Sequence, residues 1–275
     1  MKYKYLYTNG CSFTAGGGLD SWKMDVKETY MTEYDVVWDS EKDINWPAVL
    51  AKKSGLELKD YSESGASLDR VVRQTWEYIE KELPRIKETI FILELPTYHN
   101  RFDVYDKWEQ QWLIANPQWI KTYKVDKIPM VVKYDESELI KDFKSKEETL
   151  INYLDIFYDF NVGDELAYQK VAGLVAYLKM NNIKFYIIPS GFIWQYLESK
   201  YWFSMEPHIL KLEFSGKIYN EFTNFANDTK MRICDDLGKY SFDNAKDPHP
   251  GYFAHREWGK MLYNFLLKDL EDTEN

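Results

Sequence analysis

Apolar positions along this chain follow a strand pattern and a helix pattern in turn. In residues 3–8, which are rich in aromatic side chains, apolar and polar positions alternate, and residues 56–61 form a second short run. The segments TIFILEL (89–95) and IKFYIIP (183–189) are mostly apolar throughout. Short continuous apolar runs are typical of parallel strands buried on both faces. The pattern therefore predicts four strands.

Helical spacing appears between these runs. Trp46-Pro47 opens a helix that Gly55 ends, and residues 68–83 carry apolar side chains three and four positions apart. Residues 166–180 and 252–270 are also amphipathic. Alternating strands and helices are typical of an α/β domain with a central parallel sheet and helices on both faces. We therefore predict a single α/β domain over residues 1–275.

Three segments interrupt this pattern, at about 15–45, 103–150 and 192–240. The first begins with Gly16-Gly17-Gly18 and has no clear period. The second carries Trp108, Trp112, Trp119 and many charges, which suits an inserted subdomain or lid, and the third is aromatic and partly helical. We interpret all three as aromatic-rich insertions. Aromatic residues are also frequent in the chain as a whole, at 17%. Such side chains fill cores and interfaces, and they also stack on sugar faces.

Charge and cysteine content narrow the classes of partner. A net charge of −10 with no basic stripe disfavours binding to a nucleic-acid backbone. Two cysteines, Cys11 and Cys234, cannot build a disulfide framework, and no CxxC pair suggests a metal. No apolar run approaches a membrane span, and the N-terminus lacks the apolar region of a signal peptide. We expect a soluble cytoplasmic protein without a membrane partner; association with a virus particle and the oligomeric state stay open.

Reactive groups in such a sheet collect in loops beyond the carboxyl ends of the strands. Here these loops hold Gly10 and Ser12 after the first strand, Gly65 after the second, and Asp247-Pro248-His249-Pro250-Gly251 before the last helix. A serine needs a base to become a nucleophile, and an Asp two residues before a His can orient the imidazole toward it. The alternative is three ordinary turns, with Ser67 capping the next helix.

Together these loops resemble the SGNH (GDSL-like) hydrolase superfamily. The segment Gly10-Cys11-Ser12-Phe13-Thr14 matches the family's Gly-Asp-Ser-x-Thr block, Gly65 matches its glycine block, and Asp247-x-His249-Pro250 matches its C-terminal Asp/His block. The segments Trp46–Leu50 and Tyr61–Ser67 also look like SGNH-like proteins of tailed bacteriophages and other large DNA viruses. The resemblance implies the SGNH hydrolase fold, a flavodoxin-like three-layer sandwich.

The resemblance further implies a serine esterase that needs no cofactor and no metal. Ser12 would be the nucleophile, His249 its base and Asp247 the residue that orients the base. The substrate would be a small-molecule or glycan ester, with O-acetyl groups on a glycan suggested by the aromatic insertions.

The oxyanion hole is where the sequence departs from the family. The amides of Ser12 and Gly65 match two family donors, but no Gly-x-Asn follows TIFILEL. Asn100 is the candidate for the third donor, with Thr97 as its substitute, and loss of one such donor costs about 3 kcal/mol. His99 and Arg101, in the same segment, are candidates for substrate binding or for anchoring the insertion.

Three alternatives stay open at this stage. Cys11, which stands where the family has Asp, is a rival nucleophile or a small buried filler. The chain could also be a weakly active or inactive SGNH-fold module that binds glycans or serves a virion structure. A nucleotide site using Gly10 and Gly16–Gly18 is the third alternative, although the spacing fits neither GxGxxG nor GxxxxGK[ST].

Overall fold

The computed structural model describes residues 2–17, 19, 45–63, 65–95, 102–106, 111–115, 131–133, 160–189, 205–232 and 249–274. In chain order the elements are β1 (Tyr5–Asn9), α1 (Ser12–Ala15), α2 (Trp46–Ser54), β2 (Glu57–Asp60), α3 (Leu68–Lys81), β3 (Thr89–Leu95), β4 (Phe102–Asp106), β5 (Gln111–Ala115), β6 (Val131–Lys133), α4 (Phe160–Met180), β7 (Lys184–Pro189), β8 (Leu212–Phe214), β9 (Lys217–Tyr219), α5 (Phe222–Thr229) and α6 (Tyr252–Glu274). Two 3-10 turns lie at Leu83–Glu88 and Glu206–His208.

The four predicted strands form one parallel sheet in the order β2-β1-β3-β7. Tyr5 at the start of β1 pairs with Glu57 of β2 on one side and with Thr89 of β3 on the other. Strands β2 and β3 therefore lie on opposite sides of β1, and the chain crosses past β1 on its way from β2 to β3. In sheets of this type ligands bind at such a switch point, beyond the carboxyl ends of the strands. The predicted α/β class with a central parallel sheet is confirmed.

Helices cover both faces of this sheet. Alternate residues of each strand point to opposite faces, so Tyr7, Phe91 and Phe185 pack with α3 and α4, whereas Leu6, Ile90 and Tyr186 pack with α2, α5 and α6. Burial on both faces explains why these strands read as continuous apolar runs. Wholly enclosed side chains of the second face include Trp46 and Trp258.

Polar caps begin the helices that follow the first two loops. The side chain of Asn45 accepts a hydrogen bond from the Ala48 amide at the start of α2, and Ser67 accepts one from Arg70 at the start of α3. The expectation that Ser67 caps a helix is confirmed. Gly55 ends α2 with a φ of 71°, a conformation that glycine adopts without steric cost.

Several boundaries differ from the predicted ones. Helix α4 begins at Phe160 rather than at 166, and α6 continues to Glu274 rather than ending at 270. The segment 103–150 contains a three-stranded antiparallel sheet, β4-β5-β6, that the pattern did not predict. The segment 192–240 contributes the hairpin β8-β9 and α5, and most of the segment 15–45 lies outside the described residues.

Asp103 in β4 attaches this small sheet to the core. Its carboxylate accepts hydrogen bonds from the Ser67 hydroxyl at 2.6 Å and from the Arg73 guanidinium at 3.0 and 3.2 Å. The Asp103 side chain is only 3% exposed, so water competes little for these bonds. The inserted sheet is therefore fixed at the start of α3, directly after the glycine loop, the segment between β2 and α3 that contains Gly65.

None of the helices in the described ranges is both long and apolar enough to cross a membrane.

Candidate active site

Ser12 and His249 meet at the carboxyl edge of the sheet. Ser12 is the first residue of α1, directly after the turn that ends β1, and His249 lies three positions before α6. The His249 Nε2 atom is 3.0 Å from Ser12 Oγ, although the two residues are 237 positions apart. Both side chains are partly exposed. This is the geometry in which an imidazole accepts a serine proton.

The turn before Ser12 is tightly packed. The Gly10 amide donates to the Asn9 side chain at 2.9 Å, and the amides of Thr14 and Ala15 donate to the Cys11 carbonyl at 3.1 and 2.9 Å. A Cβ atom at Gly10 would lie 2.9 Å from Glu94 Cβ and would overlap the Thr14 hydroxyl. Only glycine therefore fits this turn, which fixes the path of the backbone into Ser12.

The chain around His249 is fixed by its neighbours. Pro250 forms an isolated antiparallel bridge with Arg232, and the Gly251 amide donates to the Met231 carbonyl at 2.7 Å. On the other side, the Phe13 ring contacts the His249 ring with a centroid distance of 5.3 Å and an interplanar angle of 57°. The imidazole is thus placed by backbone bonds on one side and by an aromatic ring on the other.

A second histidine lies behind the site and joins two helices. His255 is 1% exposed, and its Nδ1 accepts a hydrogen bond from the Trp46 amide at 3.1 Å, at the start of α2. Burial, with a smaller contribution from the charge of His249, lowers the pKa of His255 to about 3. His255 is therefore neutral at ordinary pH, with its proton on Nε2. Its burial, its bond to the Trp46 amide and its contact with the Phe222 ring indicate a packing role.

The glycine loop lies beside the turn that leads from β1 into Ser12. The Glu63 amide donates to the Gly10 carbonyl at 3.1 Å, which joins this loop to the end of β1. Asp60 accepts bonds from the hydroxyls of Thr8 and Ser62 at 3.0 and 2.6 Å, and thereby fixes the start of the loop. Gly65 has a φ of 83°, in the left-handed region that favours glycine.

One polar residue of this region was not identified from the sequence. Glu94, the penultimate residue of β3, is fully buried and accepts a hydrogen bond from the Thr14 hydroxyl. Burial raises the pKa of Glu94 to about 8, and the Thr14 bond opposes this shift. The signal in the sequence was a single charged residue within the otherwise apolar TIFILEL run.

The other predicted site residues lie outside the described residues. These are Asp247, Asn100, Thr97, His99 and Arg101. The rival nucleophile Cys11 is 3% exposed, so a substrate would have little access to its thiol. Within the described ranges no group of three or more His, Cys, Asp or Glu side chains forms a potential metal site.

Structural comparison aligns the chain with solved proteins at low sequence identity, among them three that are described as lipolytic or as esterases. A protein described as lipolytic and of the G-D-S-L family, from Desulfitobacterium hafniense DCB-2, is 12% identical over 95% of this chain and 98% of that chain, with a TM-score of 0.43. The psychrotrophic esterase EstA from Pseudoalteromonas sp., in a structure inhibited by monoethylphosphonate, is 11% identical over 98% of this chain and 99% of its own, with a TM-score of 0.46.

The third is a carbohydrate esterase whose active site is described as displaying divergent catalytic and non-catalytic binding functions. It is 10% identical over 96% of this chain and 65% of its own, with a TM-score of 0.38. No family model matches the chain. No curated protein matches it either. Similarity at this level assigns no activity to the chain.

Proposed function

We propose that the chain is a serine esterase in which Ser12 is the nucleophile and His249 is the general base. The observation that carries this proposal is the 3.0 Å contact between His249 Nε2 and Ser12 Oγ at the switch point of the sheet. A serine hydroxyl is a weak nucleophile at neutral pH until a neighbouring base accepts its proton. An imidazole at hydrogen-bond distance supplies that base, and both groups remain accessible from solvent.

The proposed reaction is acyl transfer to water in two steps. Ser12 Oγ attacks the ester carbonyl carbon while its proton passes to His249 Nε2. The tetrahedral intermediate then releases the alcohol, which takes the proton from His249, and the acyl group remains on Ser12. Water attacks this acyl group with His249 again as base, and the carboxylic acid leaves with Ser12 restored.

The residue that orients the base and the donors to the oxyanion are proposed from the sequence blocks around Ser12, Gly65 and His249. Asp247, two residues before His249, is proposed to accept the Nδ1–H bond that orients the ring. The Ser12 amide stands at the first position of α1, where an amide has no acceptor within the helix, and it is proposed to donate to the oxyanion together with Gly65. Asn100 or Thr97 is proposed as the third donor.

For the substrate we propose an ester of a small alcohol or of a glycan hydroxyl, with O-acetyl groups as the first class to test. The aromatic-rich insertions support a sugar ligand, because flat rings pack on sugar faces. Phe13 places one aromatic ring directly beside the His249 imidazole, and so beside the position of the leaving group.

The test compares the parent protein with Ser12→Ala. We expect p-nitrophenyl acetate turnover in the parent and a loss of roughly 10³-fold or more in the variant, because the alanine side chain has no hydroxyl with which to attack the ester. A fluorophosphonate probe should label the parent at Ser12, as identified by peptide mass spectrometry, and should leave Ser12→Ala unlabelled. Turnover of O-acetylated oligosaccharides is then measured with the same pair of proteins.

Ser54→Ala is the matched control. Ser54 is the last residue of α2, and its hydroxyl donates to the Leu50 carbonyl at 2.8 Å, at the end of α2 that lies away from the Trp46–His255 contact. Equal turnover by the parent and Ser12→Ala would overturn the proposal. Loss of activity in Cys11→Ala with activity kept in Ser12→Ala would assign the nucleophile to Cys11 instead. Absence of both turnover and labelling, with glycan binding that is unchanged in Ser12→Ala, would assign the chain to the inactive binding modules.

A further inference from the structure

A buried acid lies beneath the helix that carries the nucleophile. Glu94 is fully buried in β3, on the face where Ile90 and Ile92 pack against the α2 and α6 layer. Of the seven residues of this strand, it is the one with an ionisable side chain. A charged group is expensive to bury without a partner, so its retention in a sheet core calls for a specific contact.

That contact is with α1. The Thr14 hydroxyl donates to Glu94 Oε2, and Thr14 is the fully buried residue of α1. Gly10 closes the same unit, since a side chain there would meet both Glu94 and Thr14. The three residues therefore fill the space under the turn that leads from β1 into Ser12.

Besides this contact, the Asn45 side chain donates to the Ala15 carbonyl at the end of α1 at 3.3 Å, and Phe13 packs partly against the core. Helix α1 is four residues long, and no side-chain hydrogen bond caps its first turn. A single helical turn does not persist without tertiary support, because nucleation of a helix costs more than one turn returns. Of the four residues of α1, Thr14 is the fully buried one, and its hydroxyl bonds directly to a strand of the sheet.

The protonation of Glu94 suits an anchor rather than a proton carrier. Burial raises the pKa of Glu94 to about 8, so the carboxyl is neutral over most of the physiological range. A neutral carboxyl can accept the Thr14 bond without leaving a charge in the core. Its amide analogue, glutamine, has the same shape and can accept the same bond.

We propose that Glu94 is a positioning residue, which through Thr14 fixes α1 and keeps Ser12 Oγ within reach of His249. This inference rests on the proposed esterase function. A shift of about 1 Å at the nucleophile is enough to lower turnover roughly 100-fold, even when the shift originates outside the reacting groups. Glu94 is fully buried and acts on the site through Thr14 rather than by contact with the substrate.

The test measures kcat, KM and thermal stability for Glu94→Leu, Glu94→Gln, Thr14→Val and Thr14→Ser at pH 7 with p-nitrophenyl acetate. We expect Glu94→Leu and Thr14→Val to lower kcat about 10- to 100-fold with KM changed less than about 3-fold. Glu94→Gln and Thr14→Ser keep the hydrogen bond, and we expect each of these variants to retain most of the parent's kcat. The double variant Glu94→Leu/Thr14→Val should lose no more kcat than either single variant, because both remove the same link.

Thr89→Val is the matched control, because Thr89 is also fully buried and bonds to the Arg85 carbonyl at the opposite end of β3. It should lower stability and leave kcat unchanged. If Glu94→Leu does not fold, the Thr14→Val and Thr14→Ser pair decides the question. The inference is overturned if both Thr14 variants keep the parent's kcat, or if kcat follows stability alike in Thr14→Val and Thr89→Val. Absence of turnover and of fluorophosphonate labelling in the parent would overturn the proposed function itself.

Discussion

Phe13 links the turn that carries Ser12 to the His249 imidazole through a contact between two rings. It directly follows Ser12 in α1, and its ring faces the His249 ring at a centroid distance of 5.3 Å. A tilted contact at this separation is within the range in which aromatic rings attract each other.

Phe13→Ala should therefore lower activity more than stability. We expect kcat to fall about 10-fold, because the imidazole loses one of the surfaces that position it. The loss of stability should be about 1–2 kcal/mol, since the ring is only partly buried. The measurement is steady-state kinetics beside urea unfolding. Phe265→Ala removes a ring of similar burial that packs on Tyr186, and it should show the stability loss without the kcat loss.

The residues of the site differ in how visible they are in the sequence. The Ser12 and His249 pair was predictable because each stands in a short block with a known chemical logic, and their proximity is what the structure adds. Glu94 was not predicted, because nothing local shows that a glutamate in an apolar strand faces Thr14. That contact depends on the register of β1 against β3, which pairs Asn9 with Leu93.

At the scale of elements, the position of His249 depends on how α6 packs against α2. Gly259 lies at this contact, where an added Cβ would come within 2.7 Å of Val49 Cγ1 and 3.1 Å of the Trp46 carbonyl oxygen. A backbone carbonyl cannot turn away as a side chain can. Residue 259 therefore sets how closely the two helices approach, and α6 in turn follows directly from the His249 turn.

Gly259→Ala should separate α6 from α2. We expect a stability loss of about 1–3 kcal/mol from overpacking, together with lower kcat because the His249 turn moves with α6. Gly173→Ala is the matched control: it lies in α4, and a Cβ atom there would find nothing within 4 Å. That variant should gain up to about 1 kcal/mol through helix propensity. Equal stability of the two variants would contradict this account of the α2–α6 contact.

The elements themselves were predicted unevenly. Strands β3 and β7 were recognised because burial on both faces leaves a continuous apolar run, and Gly55 marked the end of α2. The strands of the inserted sheet are five, five and three residues long, and their charged and aromatic residues give no clear period. Their pairing and the Asp103 attachment are tertiary contacts, and local patterns do not specify such contacts.

At the scale of the whole molecule, the site brings together both ends of the chain. Ser12 follows the first strand and His249 precedes the last helix, so the site forms only when the sheet and the α2–α6 layer are both in place. Groups buried in that layer therefore affect activity and global stability together. Two buried groups, Glu94 and His255, have pKa values that burial shifts in opposite directions. The pKa of Glu94 is raised to about 8 and that of His255 is lowered to about 3.

The dependence of unfolding free energy on pH follows from these two shifts. Burial raises the pKa of Glu94 from 4.5 to about 8, so the folded state binds the extra proton and loses stability as pH rises across that interval. Burial lowers the pKa of His255 from 6.5 to about 3, so the unfolded state binds the extra proton and stability falls as pH drops below 6.5. The two contributions oppose each other between pH 4.5 and 6.5.

Two variants separate these contributions, because each removes one titration and keeps one hydrogen bond. The stability of Glu94→Gln relative to the parent should increase from pH 5 to 8, by at most about 1.4 kcal/mol per pH unit. His255→Asn retains an acceptor for the Trp46 amide, and its stability relative to the parent should increase as pH falls from 6.5 to 4. Urea unfolding across pH 4–8.5 measures both differences. A Glu94→Gln curve parallel to the parent's would mean that Glu94 ionises freely in the folded protein, which its enclosed position beneath α1 does not allow.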